Sequence, residues 1–388
     1  MTNNYLITLT PAGNFFFGSD KGFGDYNENA VLDEKLRKIN YLVTGNMFPQ
    51  QTTLLGMLRY ELLRKAGLLF PNNKTQNAID LIGNCGFNTK DNKAGNKYGK
   101  IIKISPVFLK VVDKNLFPSN DNMKQSENKQ GTMNLHYHEE DISSKNGHLI
   151  INYDPKHLID ETFAEINGGT PISLDNVFKM TQQIGIKKNY SGNTDEEAFF
   201  KQSFWTFKKK NKNGEPLNSK FAFYVTLELP EGKNHSDFFN SGIISMAGDQ
   251  SLFRFEIAPV EGTEFETIDN QNKRLVSEAT PDDKYQILLL SDCRIECDFY
   301  STNNIFTVNK ITDFRYLITS SETQRFSNLG SGANDMKKSD KQEFLSRNSV
   351  LYLKGDTLKK VCESLDGVNS INKSYKEIGY NHYKIIKK

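Results

Sequence analysis

The stretch FPQQTTLLGMLRYELLRKAGLL, from Phe48 to Leu69, predicts the first helix of the fold. Its leucines between Leu54 and Leu63 recur at helical spacing, as they do on the buried face of an amphipathic helix. We expect Thr52 or Thr53 to cap the helix, because a threonine hydroxyl accepts a hydrogen bond from a free N–H of the first turn. Gly67 is expected to end it.

The entry to this helix is a candidate anion site. Its polar residues are Gln50, Gln51, Thr52 and Thr53. Free N–H groups and the helix dipole attract phosphate at a helix N-terminus, and Arg59 lies about two turns further on. Gly56 costs about 1 kcal/mol relative to alanine inside a helix, which indicates close approach of another backbone or a ligand. The alternative is an ordinary capped helix whose glutamines face water.

Length and composition favour an intracellular protein of two domains. A chain of 388 residues suggests two domains at roughly 150 residues each. The formal charge of +2 does not by itself indicate a nucleic-acid partner, so any polyanion site must come from local clustering. The N-terminal residues do not read as a secretory signal, and no apolar run reaches the length of a membrane span. The four cysteines form no CxxC pair and are expected to be reduced, in the cytoplasm.

The pattern of elements predicts an α+β fold with many strands and few helices. We expect an opening strand over Tyr5 to Thr10 and a strand over Ile101 to Val112 that Pro106 interrupts. Residues 155–183 are predicted to be partly helical. After Gly185, short β-like runs alternate with lysine-rich or glycine-rich turns. We therefore divide the chain into domains at 1–180 and 181–388.

A basic run follows an aromatic strand and is a second candidate polyanion site. Lys208, Lys209 and Lys210 come directly after Phe204 to Phe207. Such a run can track phosphates behind stacking rings. It is also typical of a solvated hairpin tip.

The loop from Asn328 to Lys341 is a third candidate. Gly330 allows backbone N–H groups to approach phosphates, and Lys337 and Lys338 add charge. The loop lacks the GK[ST] ending of a P-loop, so nucleotide hydrolysis is not predicted. A surface loop without a ligand is the alternative.

No catalytic or metal-binding pattern stands out. His136 and His138 would share one face of a strand, but no third ligand follows at a recognisable spacing, so no metal site is predicted. His382 is a possible general base without a paired nucleophile or acid. We see no HExxH, GxSxG or kinase motif, and therefore predict neither a cofactor nor an enzyme.

Taken together, these residues resemble the RAMP-superfamily subunit of type III-B CRISPR–Cas (Cmr) effector complexes, the third-named, Cas-five-like subunit. The resemblance runs in order along most of the chain. It rests on Phe15-Phe16-Phe17-Gly18, on Pro49, Thr53, Gly56 and Arg59, on Gly185-Ile186-Lys187 with Phe199 to Phe207, on Met246 to Asp249 with Phe253-Arg254-Phe255, and on Asn348 to Tyr352 with Gly379 to Tyr383.

The resemblance implies two tandem ferredoxin-like RAMP domains with inserted loops. It implies a non-catalytic subunit that binds the 5′ handle of the guide RNA and bridges the large polymerase-type subunit to the backbone RAMP subunit. The helix entry would then line the RNA cleft, with Arg59 paired to a phosphate. The lysine run, the Asn328 to Lys341 loop and the C-terminal residues Tyr380, Asn381 and His382 would complete the RNA contacts.

Two other functions stay open at this point. The first is a metal-independent RAMP endoribonuclease that processes repeat RNA, with His382, Tyr380 and His136 as candidate acid–base residues. The second is a structural partner protein that makes no RNA contact of its own.

Overall fold

A computed structural model gives the architecture of most of the chain. It describes residues 2–18, 42–69, 75–83, 98–119, 124–127, 131–134, 136–137, 150–151, 161–188, 191, 194–247, 250–295, 299, 306–308, 311–314, 317–319, 336–338, 342–367 and 372–388. Within these ranges the protein is a mixed α/β structure. No helix there has the length and apolar character needed to cross a membrane.

The strands are numbered in chain order. They are β1 (Thr2–Pro11), β2 (Phe17–Gly18), β3 (Leu42–Val43), β4 (Gly45–Asn46), β5 (Ile101–Ile104), β6 (Phe108–Val111), β7 (Lys114–Pro118), β8 (Lys124–Glu127), β9 (Gly131–Asn134), β10 (His136–Tyr137), β11 (Ile150–Ile151), β12 (Thr162–Ala164), β13 (Ile172–Ser173), β14 (Phe178–Lys188), β15 (Thr194–Phe207), β16 (Lys220–Glu228), β17 (Gly242–Met246), β18 (Ser251–Val260), β19 (Lys284–Leu289), β20 (Cys293–Arg294), β21 (Phe306–Val308), β22 (Ile311–Phe314), β23 (Leu317–Thr319), β24 (Met336–Lys338), β25 (Gln342–Leu345), β26 (Val350–Lys354) and β27 (Tyr383–Lys387).

The helices are fewer. They are α1 (Gln51–Lys65), α2 (Gln76–Ile82), α3 (Leu174–Val177), α4 (Glu264–Ser277), α5 (Gly355–Asp366) and α6 (Asn372–Glu377), with a 3-10 turn at His235–Asp237.

The largest sheet of the described residues has nine strands, in the order β13-β12-β7-β6-β16-β1-β18-β17, with β5 also paired to β16. Alternate residues of β16 face opposite sides, as the strand period requires. Phe221 and Phe223 pack with the leucines of α1 in the first hydrophobic core. Ala222 and Tyr224 face the opposite side of the sheet, where they belong to a buried cluster that includes Phe265 of α4.

The second main sheet has the order β21-β26-β19-β27. Its core lies under α5, where Leu358, Val361 and Leu365 are buried against Ile287 of β19. The opposite face of this sheet meets the nine-stranded sheet. Leu288 lies there in the same buried cluster as Phe108, Phe117 and Tyr224. The two sheets therefore share one continuous apolar contact.

The structure confirms some of the predicted elements and corrects others. The opening strand is confirmed as β1, and the strand with Pro106 is confirmed as β5 and β6 with a break between them. The partly helical interpretation of residues 155–183 holds only for the four residues of α3. Most other described residues there are strand, because apolar and polar residues alternate after Phe178.

The predicted division between residues 180 and 181 does not follow the backbone pairing. It passes through β14 and separates β1 from its partners β16 and β18. The change in sequence pattern after Gly185 falls inside a long hairpin, β14–β15, and does not mark the end of a sheet.

Candidate nucleic-acid interface

The helix entry has a different cap from the predicted one. The residue before the helix is Gln50, which makes no side-chain capping bond, and Thr52 and Thr53 already lie in the first turn. The N–H of Thr53 donates to the carbonyl oxygen of Gln50 at 2.9 Å. The prediction of a threonine cap is therefore wrong, because the cap residue lies two residues before Thr52. The predicted end is confirmed, since Gly67 follows α1 at a φ of 67°.

The entry of α1 lines a small cleft between the two sheets. The cleft is narrow and partly open to solvent, and its interior has no room for a water molecule. Its lining residues are Pro49, Gln50, Gln51, Val107, Ser291, Asp292, Arg347 and Tyr380. The fold thus brings the predicted glutamine pair and Tyr380 together, although they lie near opposite ends of the chain.

Gln51 joins the two sides of the cleft. Its side chain is buried, at 4% exposure. With the amide oriented to satisfy both neighbours, its nitrogen donates to the carbonyl of Ile378 at 3.1 Å and its oxygen accepts from the N–H of Val107 at 3.0 Å. These bonds make Gln51 a structural link between the two sides, whereas Gln50 is half-buried in the cleft lining.

Arg347 is a cleft residue that sequence reasoning missed. Its guanidinium lies 4.1 Å from the ring centroid of Phe48, and its Nη2 lies 3.8 Å from Oδ2 of Asp292. The backbone N–H of Arg347 donates to Oδ1 of Asp292 at 2.9 Å. Arg347 stands in a short turn between two strands, and no sequence pattern singles it out. It places a cation in the lining of the cleft, beside the Asp292 carboxylate and with 13% of its side chain exposed, where Arg59 was expected.

Arg59 lies in the core, away from the cleft mouth. It is 5% exposed, and its guanidinium lies 5.5 Å from the ring centroid of Tyr98. This position corrects the expectation of a phosphate contact, because the helix turns its arginine toward the packed side. Gly56 is exposed, and a Cβ there would meet nothing within 4 Å. The predicted approach of another backbone to Gly56 is therefore wrong within the described residues.

The C-terminal candidates are buried structural residues. Tyr380, Asn381 and His382 are 2%, 0% and 1% exposed. Burial raises the pKa of the Tyr380 phenol well above its usual value, the charge of Asp292 acts in the same direction, and hydrogen bonds to Thr52 oppose them. The ring of Tyr380 stacks on Phe344 at 5.4 Å between centroids. Direct RNA contact by these three side chains would need the core to open.

The lysine run lies beside the same aromatic cluster as Arg347. Phe207, which precedes Lys208, packs on Phe178 with centroids 5.0 Å apart, and Phe178 packs on Phe48 at 5.5 Å. The Lys208 amine donates to the carbonyl of Asp175. Lys209 and Lys210 are exposed.

The remaining candidate residues lie either in short strands or outside the described residues. Asn328 and Gly330 lie outside the described residues, and so does His138. Lys337 and Lys338 belong to β24, which pairs with β23. His136 belongs to β10, which pairs with β11. Among the described side chains, no group of three or more His, Cys, Asp or Glu residues could hold a metal ion.

The profile of the family described as "CRISPR-associated protein (Cas_Cmr3)" matches residues 7–161 and 156–388. The chain belongs to the Cas_Cmr3 family. No single curated protein matches it closely enough to add to this assignment.

Two solved structures are similar to this Cas_Cmr3 chain along nearly its whole length. One is the type III-B Cmr-beta complex bound to cognate target RNA, with 13% identity, a TM-score of 0.49, and coverage of 98% of this chain and 96% of the other. The second is the same type of complex bound to cognate target RNA and AMPPnP, state 1. It has 14% identity, a TM-score of 0.44, and coverage of 97% and 94%.

The buried histidine gives this Cas_Cmr3 protein a testable pH dependence. Burial lowers the pKa of the His382 imidazole well below 6.5, and the charges of Lys376 and Lys103 act in the same direction. The unfolded chain therefore binds a proton near pH 6.5 that the folded chain does not bind. The contribution of neutral His382 to stability is fully present above that pH and is lost as the pH falls below it.

We expect the free energy of unfolding to decrease as the pH is lowered from about 7 to about 5, and to decrease more steeply in the wild type than in His382→Gln. The two slopes should differ by up to about 1.4 kcal/mol per pH unit. Urea titrations at several pH values measure these slopes. Equal slopes for the wild type and His382→Gln would show that the histidine is not held neutral.

Proposed function

We propose that this protein is a non-catalytic, RNA-binding subunit of a type III-B CRISPR ribonucleoprotein. The observation that supports it most is the family match along the chain, combined with a cation-bearing cleft at the entry of the first helix. Arg347 and Gln50 both line that cleft and offer a charge and a neutral amide. A phosphate of the guide RNA could accept hydrogen bonds from both groups, as phosphates commonly do from arginine and amide donors.

We propose two tandem ferredoxin-like domains as the scaffold for this role. In a βαββαβ unit the strands stand in the order 4-1-3-2. The order β18-β1-β16-β6 has this form, with α1 after the first strand, and so does β27-β19-β26-β21, with α5 before the last strand. This interpretation moves the division of the chain from residue 180 to the segment between Val260 and Glu264.

We infer that the 5′ handle of the guide RNA follows a path from the cleft to the lysine run. Phe48 and Phe178 connect Arg347 to the turn that carries Lys209 and Lys210. A single strand of RNA gains affinity from such cations through release of its counterions. In this proposal the chain works in the cytoplasm without metal or cofactor, and it bridges the large polymerase-type subunit to the backbone RAMP subunit.

A salt titration of guide-RNA binding tests this path. We expect the double variant Lys209→Ala/Lys210→Ala to bind guide RNA more weakly, with the slope of log K against log salt reduced by about 1.4, or about 0.7 for each lost phosphate contact. Fluorescence anisotropy with the full chain measures both quantities. Lys359→Ala/Lys360→Ala removes two exposed adjacent lysines from α5 and should keep the wild-type slope. Equal losses in both double variants would contradict the proposed path.

Incubation of the purified full chain with repeat RNA distinguishes this function from RNA processing. The described position of His382, at 1% exposure, gives its ring no access to a 2′-hydroxyl. We therefore expect repeat RNA to stay intact with the purified chain. Cleavage that disappears in His382→Ala would overturn the non-catalytic proposal.

A further inference from the structure

The hairpin β14–β15 is anchored at one end in the first core. Phe178 pairs with Phe207 at its base, and their ring centroids lie 5.0 Å apart. From there the pairing continues outward to Ile186 and Phe199. Strand β3 adds a third strand only beside Lys201 and Gln202 of β15, and a hairpin is marginally stable in water where it has neither a third strand nor a packing surface.

One face of β14 carries the core's apolar stripe out into solvent. Residues two apart on a strand share a face, so Phe178, Met180, Gln182, Ile184 and Ile186 lie on one side, and Gln182 is the one polar residue among them. Phe178 is buried at 3% exposure, but Met180, Ile184 and Ile186 are 50%, 66% and 54% exposed. Exposed apolar residues aligned in this way mark an interaction surface more often than single exposed ones do.

The same strand is an edge of its sheet. Within the described residues the sheet has the order β14-β15-β3, so nothing pairs with the outer side of β14. Proteins protect long edge strands with charges or prolines. The stretch from Met180 to Ile186 has neither, and lysines stand only beyond its ends, at Lys179, Lys187 and Lys188. Among the described residues, no strand pairs with its outward backbone N–H and C=O groups, which stand at strand spacing.

We propose that the edge from Met180 to Ile186 binds an extended segment of another protein subunit, which adds a strand to β14 and covers its apolar stripe. An extended polypeptide supplies both complements of this surface, because it presents alternating N–H and C=O groups together with side chains at a two-residue period. RNA does not fit as well, because phosphates need cations and bases need stacking rings. The inference rests on the proposed function for the identity of the complex.

Hydrogen exchange on the free chain and on the co-expressed, purified ribonucleoprotein tests the added strand. We expect amides of β14 to exchange at least about tenfold more slowly in the complex. If the chain does not co-purify with guide RNA and other subunits, both the proposed function and this inference fail. If it does co-purify and β14 exchanges as fast as in the free chain, this inference alone fails.

A pair of matched variants tests the apolar stripe. Ile184→Asp/Ile186→Asp should lower incorporation into the complex by about tenfold or more, because the partner would have to bury two charges. Ile243→Asp/Leu252→Asp alters residues that are 58% and 51% exposed near the edge of the other sheet, and it should incorporate normally. Equal losses in the two variants, or normal incorporation of both, would overturn the proposal.

A photo-crosslinker at position 184 identifies the occupant. The expected product is a protease-sensitive adduct with a different subunit. An adduct with guide RNA, or an adduct between two copies of this chain, would overturn the proposal.

Discussion

Replacing Gly379 with alanine is expected to lower the free energy of unfolding by about 4 kcal/mol. Gly379 has a φ of 97°, a conformation that side chains with a Cβ rarely adopt. The added Cβ would also lie 2.6 Å from the carbonyl oxygen of Ser105 and 2.9 Å from Cδ of Gln51. The first of these atoms belongs to the backbone and cannot move aside without shifting the segment between β5 and β6.

Alanine variants of two other glycines distinguish the cost of backbone strain from the cost of the steric contact. Gly232 has a φ of 73°, and a Cβ added there would meet nothing within 4 Å, so Gly232→Ala should cost about 1 kcal/mol. Gly56 stands exposed inside α1, and Gly56→Ala should add about 1 kcal/mol. Urea unfolding followed by circular dichroism measures all three variants of the full chain. A Gly379→Ala loss equal to that of Gly232→Ala would contradict the tight contact with Ser105.

Replacing Asn381 with alanine is the second large effect, with an expected loss of about 4 kcal/mol. The side chain is fully buried and makes three hydrogen bonds. Its Oδ1 accepts from the N–H of Arg294 at 2.9 Å, and its Nδ2 donates to the carbonyls of Arg294 and Leu365, both at 3.0 Å. Alanine would leave these backbone groups buried without partners, which costs more than the lost bonds themselves.

A surface asparagine with the same number of bonds is the control. Asn211 accepts from the N–H groups of Asn213 and Glu215 and donates to the Glu215 carboxylate. Water can replace those partners, so Asn211→Ala should cost about 1 kcal/mol. Asn381→Gly keeps the φ of 57° accessible and should lose nearly as much as Asn381→Ala. If glycine restored full stability, backbone strain instead of hydrogen bonding would explain the alanine result.

These two residues define what the C-terminal segment does in the described fold. Gly379 packs against Ser105, near the nine-stranded sheet, and Asn381 bonds to Arg294 and Leu365 around the second core. The segment therefore joins the two sheets beneath the cleft. Its tyrosine, asparagine and histidine hold the cleft walls in place, which accounts for their burial.

Local sequence was sufficient for the elements whose signals are local. The leucine spacing and Gly67 predicted α1, and the β-forming run from Tyr5 to Thr10 predicted β1 closely. The helix α4 was missed, although Thr263 and Glu266 form a capping box at its start. Its apolar face is sparse, with Phe265 and Ile268 as its buried apolar residues, so the spacing of apolar residues gave a weak signal.

The sequence by itself determined the family, the helix with its polar entry, and the many short strands, because backbone preferences and apolar periodicity act between near neighbours in the chain. Only the tertiary structure decided which polar residues reach the cleft. It buried Arg59 against Tyr98, and it brought Arg347 over Phe48 from the far half of the chain. The physical reason is that an arginine looks the same in sequence whether it faces water or core. Its exposure depends on pairings between strands far apart in the chain, which no local pattern records.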